Sequence, residues 1–283
     1  MPVAYLNGQW TRPEDTKISV FDRGFMFGDG VYEVMPVYKG HIFTLAQHIA
    51  RLQRSMAEVR IQCSMTAQEW QALLEEAVAR SNEQDALIYL QVTRGIASER
   101  SHVYPVVAPT ILVTVTASQF DEDAFKPISV TCKADFRWSR GDIKVVSLIA
   151  NGMLKNEAMD EGFDDAILIR NGMVTEGTSS NVFAVKDSVL WTPPKSEYLL
   201  HGITRDQVIQ MARGSGLEVR EENIQEAFLK QADEVWLTAS GLELLPVGKV
   251  DGKTVGNGEA GLIWHRIKSV FQAEILKVIE KID

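Results

Sequence analysis

The sequence predicts a two-part chain of mixed α+β and α/β character. Hairpin signals and alternating apolar runs interleave with helical periodicities along its whole length. At 283 residues it is long enough for about two domains of ordinary size. An acidic, aperiodic segment, QFDEDAFKP, interrupts the pattern from Gln119. These observations divide the chain into a smaller N-terminal α+β domain over 1–118, a linker over 119–127 and a larger C-terminal domain over 128–283.

Each element has a local cause. Asn7-Gly8 supplies the positive-φ pair of a type I′ turn, so AYLNGQW is a hairpin. GVYEVMPVYKGHIFTL is a second hairpin turning near Lys39-Gly40, in which Pro36 removes a ladder donor and implies an edge or a bulge. Thr44 with Gln47 predicts a capping box ahead of Leu45, Ile49, Leu52, Met56 and Val59 at helical spacing. Thr66 with Glu69 opens another helix to about Arg80. ALIYLQVTRG and TILVTVTAS are strands on either side of the polar, loop-like IASERSHVYPVVAP. Beyond the linker, strands are expected over Ile128–Ala134 and Asp142–Val146, then a helix from about Leu148 to Glu161, stopped by Gly162. Asn171-Gly172 turns a further hairpin, and VLWTPP is a strand ended by prolines. A helix opens at Thr204 and DEVWLTAS is a strand. An amphipathic helix carrying Leu262, Ile263, Val270 and Ile275 closes the chain.

Composition excludes several classes. A formal net charge of -9 argues against a nucleic-acid partner, which calls for clustered Lys and Arg. Cys63 and Cys132 stand far apart without metal-ligand neighbours, so no disulfide framework, zinc site or other metal is expected. No apolar run approaches the ~18 residues of a membrane span, and the N-terminus lacks a secretory pattern. The expectation is a soluble cytoplasmic protein in a reducing compartment.

Two residues sit where their chemistry needs a reason. Lys144, in DIKVVSLI, shares a strand face with Val146 and Leu148 if the stretch is extended. A sheet-edge lysine can snorkel its head to water. A sheltered one loses charge and can attack a carbonyl to form a Schiff base. Glu176, in VTEGTSSNVF, is a strand carboxylate beside Gly177 and three hydroxyl residues, Thr178, Ser179 and Ser180. It is either a solvated strand end with local hydroxyl bonds or an acceptor for a protonated ring nitrogen, the glycine admitting a flat ligand. Lys144 and Glu176 together suit the two handles of pyridoxal phosphate. Gly202, Ile203 and Thr204 offer a helix start to its phosphate, unless Thr204 and Gln207 merely form a capping box. Arg51 and Ser240 could add phosphate contacts. Arg100 and His102, in RSH, could clamp a carboxylate from what is otherwise an ordinary solvated loop.

Taken in order, LNGQW, DRGFMFGDGVYEV, HIARL, QVTRG, DIKVVSL, TEGTSSNVF, HGITRD and VWLTAS resemble the class IV, fold type IV, pyridoxal-phosphate aminotransferases, and among them the D-amino acid aminotransferases. The resemblance runs over almost the whole chain. It implies two domains with the cofactor site at their interface, the C-terminal one binding most of the cofactor. It implies that Lys144 binds the cofactor aldehyde and Glu176 the pyridine nitrogen. Arg51, Ile203, Thr204 and Ser240 would hold the phosphate, Ser179 and Ser180 lie beside the cofactor, and Leu200 packs on its ring. Tyr32, Arg100 and His102 match the residues that trap the substrate α-carboxylate, the last two serving the neighbouring subunit of a homodimer.

What the resemblance implies is ping-pong transamination from a D-amino acid, with D-alanine as donor and 2-oxoglutarate as acceptor. A branched-chain L-amino acid aminotransferase and a 4-amino-4-deoxychorismate lyase share the fold and are the alternatives. A non-catalytic binding protein on a decayed scaffold is the remaining class.

Overall fold

The computed structural model describes residues 3–120 and 126–280, and its turns sit where the turn dipeptides require. Asn7 (φ 46°) and Gly8 (φ 92°) reverse the chain between β1 (Val3–Leu6) and β2 (Gln9–Thr11). The short α1 (Arg23–Phe27) begins where Asp22 accepts from the Gly24 N–H at 2.8 Å. Lys39 (φ 46°) and Gly40 (φ 82°) turn β3 (Gly30–Tyr38) into β4 (His41–Ile42). Two helices follow, α2 (Leu45–Glu58) and α3 (Ala67–Ser81), then β5 (Ala86–Thr93) and β6 (Thr110–Ala117). The six strands form an antiparallel sheet in the order β2-β1-β6-β5-β3-β4.

Pro36 behaves as its missing donor demands. It stays in register opposite Leu87 of β5, while its carbonyl accepts from Phe43 on the other side. That side is covered only by the two residues of β4, so no ladder bond is lost. The Thr66–Glu69 capping box forms, with the Thr66 N–H donating to Glu69 at 2.7 Å and the Glu69 N–H to the Thr66 hydroxyl at 3.2 Å. The expected Thr44–Gln47 box does not. Thr44 adopts a left-handed conformation (φ 56°) and its hydroxyl turns back to the Phe43 carbonyl at 2.7 Å. Leu52 and Met56 from α2 and Trp70 and Leu74 from α3 pack with Met35, Ile88 and Leu90 of the sheet in one buried cluster.

The chain divides into two compact units. The first runs to Phe120 and also takes Ile143–Ser147 and the residues from Val278; the second is the rest. Of the expected linker over 119–127, residues 121–125 lie outside those described.

The second unit contains β7 (Ile128–Ala134), α4 (Ile149–Asp160), β8 (Asp165–Arg170), β9 (Met173–Gly177), β10 (Asn181–Lys186) and β11 (Val189–Thr192). It continues through α5 (Ile203–Gly214), β12 (Val219–Glu221), α6 (Glu226–Leu229), β13 (Glu234–Ala239), β14 (Glu243–Val250), β15 (Lys253–Thr254) and, as far as Lys277, α7 (Leu262–Glu280). Its nine-stranded sheet runs β12-β11-β10-β13-β14-β7-β8-β9, with β15 on β14. The β7 strand is parallel to both its neighbours, and β11 is parallel to β12. The buried stripe of α7 is Trp264, Ile267, Lys268, Phe271 and Ile275, whereas Leu262, expected on it, is 87% exposed at the first turn. No helix among the described residues is long and apolar enough to cross a membrane. Cys132 does meet two carboxylates, Glu226 and Asp251, but Lys230 pairs with both, at 2.6 and 2.7 Å, and satisfies them as an ion-pair group.

A buried charge cluster joins α2 to β3. Glu33 is fully buried and accepts from Arg51 Nε at 2.8 Å and Nη2 at 2.7 Å, with His48 Nδ1 at 2.7 Å. Burial alone would raise the Glu33 pKa, but the Arg51 charge and hydrogen bond and the His48 contact outweigh it and bring it from 4.5 to about 2. A carboxylate depressed in the folded state stabilises fully above its unfolded pKa and loses that contribution as pH falls through the folded value. The first unit should therefore lose stability between pH 4.5 and about 2. Glu33→Gln should cost about 3 kcal/mol at pH 7 and flatten that acid limb, as urea titrations at several pH values would measure.

Candidate active site

Lys144 does not lie in a strand. Among residues 142–146 only Val145 makes a bridge, to Val31 of β3. The Lys144 carbonyl accepts from the Tyr32 N–H at 2.9 Å, and Val146 N–H donates to Gly30 at 3.1 Å. These bonds hold the segment beside β3 without extending the sheet, and the Val145 N–H donates to the Ile143 carbonyl at 2.9 Å, so the expected strand over Asp142–Val146 is a tight turn centred on Lys144. Strand alternation therefore does not govern its side chains. The Lys144 Nζ lies 4.2 Å from the centroid of the Tyr32 ring, and the residue is half-buried. An amine over an aromatic face is sheltered while its charge is still tolerated.

The other first-unit candidates have separate surroundings. Arg51 is held by Glu33 on Nε and Nη2, which sets the plane of its guanidinium. Arg100 and His102 are exposed in the segment between β5 and β6, and both rest on one ring: Phe27 lies 4.7 Å from the Arg100 guanidinium carbon and 5.5 Å from the His102 ring. Between them, the Ser101 carbonyl accepts from buried Arg23. Arg23 and Arg94 both bond Asp29, at 2.8 Å through their Nε atoms. The anchored backbone leaves Arg100 and His102 both against Phe27, although the Ser101 N–H donates to the Glu99 carbonyl at 3.2 Å and the segment is not the extended run that alternation assumes.

In the second unit Glu176 is buried on β9. Its Oε1 pairs with Arg137 Nη1, and its Oε2 accepts from the Leu200 N–H at 2.9 Å. Burial pushes its pKa up, opposed by the Arg137 charge and the Leu200 bond. The arrangement continues through Asn181, whose Nδ2 donates to the Leu200 carbonyl at 2.8 Å. A side chain added at Gly202 would place Cβ 1.9 Å from Asn181 Oδ1.

Gly202 is the N-cap of α5 and gives no side-chain cap, so Thr204 and Gln207 form no capping box. The buried Ile203 and Thr204 stand at the helix start, where N–H groups and the dipole suit an anion. Ser180 is buried and its hydroxyl has no hydrogen-bond partner; the same holds for Thr238, opposite Asn181 in the β10–β13 register. Ser179 is exposed and Ser240 half-buried just past β13. Gly177 also answers to its own turn: a Cβ there would meet Ser180 Oγ at 2.2 Å and force that hydroxyl to shift.

These features fit a phosphorylated pyridine aldehyde. Within the second unit they supply a buried carboxylate with acceptor capacity left on each oxygen, an uncapped helix start and two orphaned hydroxyls, and within the first unit the Lys144 amine. Sequence reasoning missed Arg137, Asp135, Glu33, His48 and Asn181. The two arginine–carboxylate pairs, Arg51 with Glu33 and Arg137 with Glu176, are 18 and 39 residues apart in sequence, beyond any periodic signal.

Known proteins point the same way. The family model described as Amino-transferase class IV matches residues 30–250. The chain is 38% identical to the D-alanine aminotransferase of Bacillus licheniformis over 276 residues, covering 97% of this chain and 98% of that one. It is 36% identical to the D-alanine aminotransferase of Listeria monocytogenes serotype 4b over 282 residues, 98% of each. Among solved structures it is similar to the branched-chain amino acid aminotransferase from Escherichia coli, with a TM-score of 0.88 and 27% identity over 96% of this chain and 93% of that one. The branched-chain amino acid aminotransferase from Thermoproteus uzoniensis with norvaline gives 0.86 and 25% over 99% of this chain and 96% of that one.

Gly202→Ala should destabilise the second unit by about 1–3 kcal/mol through the forced shift of Asn181, read as a lowered midpoint in urea unfolding.

Proposed function

The chain belongs to amino-transferase class IV and is a pyridoxal-phosphate-dependent transaminase of fold type IV, and from that premise we propose that it moves the amino group of a D-amino acid, D-alanine foremost, to a 2-oxo acid such as 2-oxoglutarate. What carries the reading is identity of 34–38% to D-alanine aminotransferases over nearly the full length, against 25–27% for the branched-chain structures above.

Pyridoxal phosphate, when bound, supplies an aldehyde that condenses with amines and a protonated ring that draws electrons from the substrate Cα. Lys144 Nζ would hold the aldehyde carbon of the bound cofactor and, when free, would act as the base toward the proton on the substrate Cα. One amine serves twice, first as nucleophile and then as base. Glu176 would keep the ring nitrogen protonated, acting on charge rather than as a shuttle. The phosphate would take the N–H groups of Ile203 and Thr204 with Arg51 and Ser240. Ser179 and Ser180 would lie beside the ring, with Leu200 against its face. Tyr32, Arg100 and His102 would take the α-carboxylate. With the base on one face of the cofactor, the side that holds the carboxylate decides which enantiomer presents its Cα–H.

The same reading places the enzyme in the cytoplasm as a homodimer in which Arg100 and His102 serve the neighbouring site. Exposed Val20, Phe25, Val103 and Val106 support a second copy. They sit on the two segments joined by the Asp22–Ile96 bridge.

A side-by-side assay of D-alanine, L-leucine and aminodeoxychorismate tests the choice of substrate. D-alanine with 2-oxoglutarate should exceed L-leucine in kcat/KM by at least about tenfold. The lyase alternative requires pyruvate release without an amino acceptor, and L-leucine preference would move the chain to the branched-chain enzymes. Borohydride reduction of the holoenzyme should leave a pyridoxyl group on the peptide containing Lys144, and Lys144→Ala should lower kcat by about 10³-fold. Wild-type turnover in that variant would remove the lysine from the mechanism.

A further inference from the structure

Glu176 has a neighbour that the proposed chemistry does not yet use. A carboxylate out of water tends to take up a proton, and a neutral Glu176 could not keep a ring nitrogen protonated. The guanidinium paired with it belongs to Arg137, which is 9% exposed and follows β7. Arg137 is itself locked. Its Nε and Nη2 donate to Asp135 at 2.9 and 3.0 Å, and Nη2 also reaches the Tyr198 carbonyl at 3.3 Å. Asp135 is held in turn by the Thr175 hydroxyl at 2.9 Å and by Arg170 at 3.2 Å. Arg170 also donates to the Arg137 carbonyl at 2.8 Å.

The row runs Arg170, Asp135, Arg137, Glu176, with charges alternating and cancelling in pairs. Asp135 would be raised by burial, but Arg137 and its other donors hold it down at about 2. Burial lowers the Arg137 pKa, but its bonds to Asp135 and the Glu176 charge drive it up on balance. Both therefore stay ionised across the working pH range. Arg137 occupies one lone pair of Glu176 Oε1 and the Leu200 N–H one of Oε2, so each oxygen keeps an acceptor site.

We propose that Arg137, anchored by Asp135, is a positioning residue that counteracts the burial favouring a protonated Glu176 and fixes its orientation, so that with the cofactor bound a shared proton resides on the ring nitrogen and not on the carboxyl. A simple structural pair would need only Asp135 and Arg137. Here the guanidinium also turns an Nη1 N–H to a carboxylate assigned a charge-dependent task. The inference rests on the reading of Glu176 under the proposed function.

The test uses the cofactor-free protein and the holoenzyme together. With glutamate side-chain carboxyls labelled in ¹³C, the Glu176 resonance is identified by its loss in Glu176→Gln and titrated in Arg137→Gln and Arg137→Lys. Removing the cation should raise the Glu176 midpoint by about one pH unit or more, and the lysine variant should recover part of that shift. In the holoenzyme, kcat for D-alanine should fall by about 10- to 100-fold in Arg137→Gln, with KM changed far less. The lysine variant should lie between. Thermal melting shows which variants fold, and an unmoved midpoint in whichever of the two folds overturns the inference alone. A raised midpoint with unchanged kcat overturns the assignment of Glu176 to the cofactor, and with it the catalytic meaning of Arg137.

Discussion

A carboxylate removed from water keeps its charge only if the protein supplies donors, and this chain meets that demand in the same way in each unit. In the first, Glu33 on β3 faces Arg51 and His48 from α2. In the second, Glu176 on β9 faces Arg137. The outcomes differ because the donors differ. Glu33 has two bonds from one guanidinium and a third from an imidazole, and its pKa falls to about 2. Glu176 has one guanidinium contact and one backbone N–H, and its pKa stays raised. The first cluster anchors a helix and orients Arg51. In the second, two donors oppose the burial of Glu176 without outweighing it.

Backbone groups carry much of the remaining geometry. Glu176 is linked through the Leu200 N–H and the Asn181 amide to the glycine that opens α5. A helix without a side-chain cap, next to buried hydroxyls that lack partners, is costly in an isolated chain. The same groups suit an anionic ligand, which by binding the folded state would return stability to it.

The local code was legible wherever the cause is local. Asn7-Gly8, Lys39-Gly40 and Asn171-Gly172 turn as positive-φ pairs must, and Thr66 with Glu69 caps α3. Thr44 shows the limit. The same pattern of hydroxyl and amide produced no cap, because the tight exit from β4 imposes a left-handed conformation that turns the hydroxyl away. Lys144 shows it again: its apolar neighbours read as a strand, but the segment bonds β3 only around one bridge.

By itself the sequence determined the turns, most of the strands and helices, the family and the residue types able to do the chemistry, since each depends on neighbours within a few positions or on an ordered set of motifs. Tertiary structure alone decided which charge meets which. Arg137 and Glu176 lie 39 residues apart, and Arg51 and Glu33 lie 18 apart. Ion pairs between elements far apart in the chain follow no periodicity, unlike those one turn apart on a helix, and such partners meet only once the elements pack together.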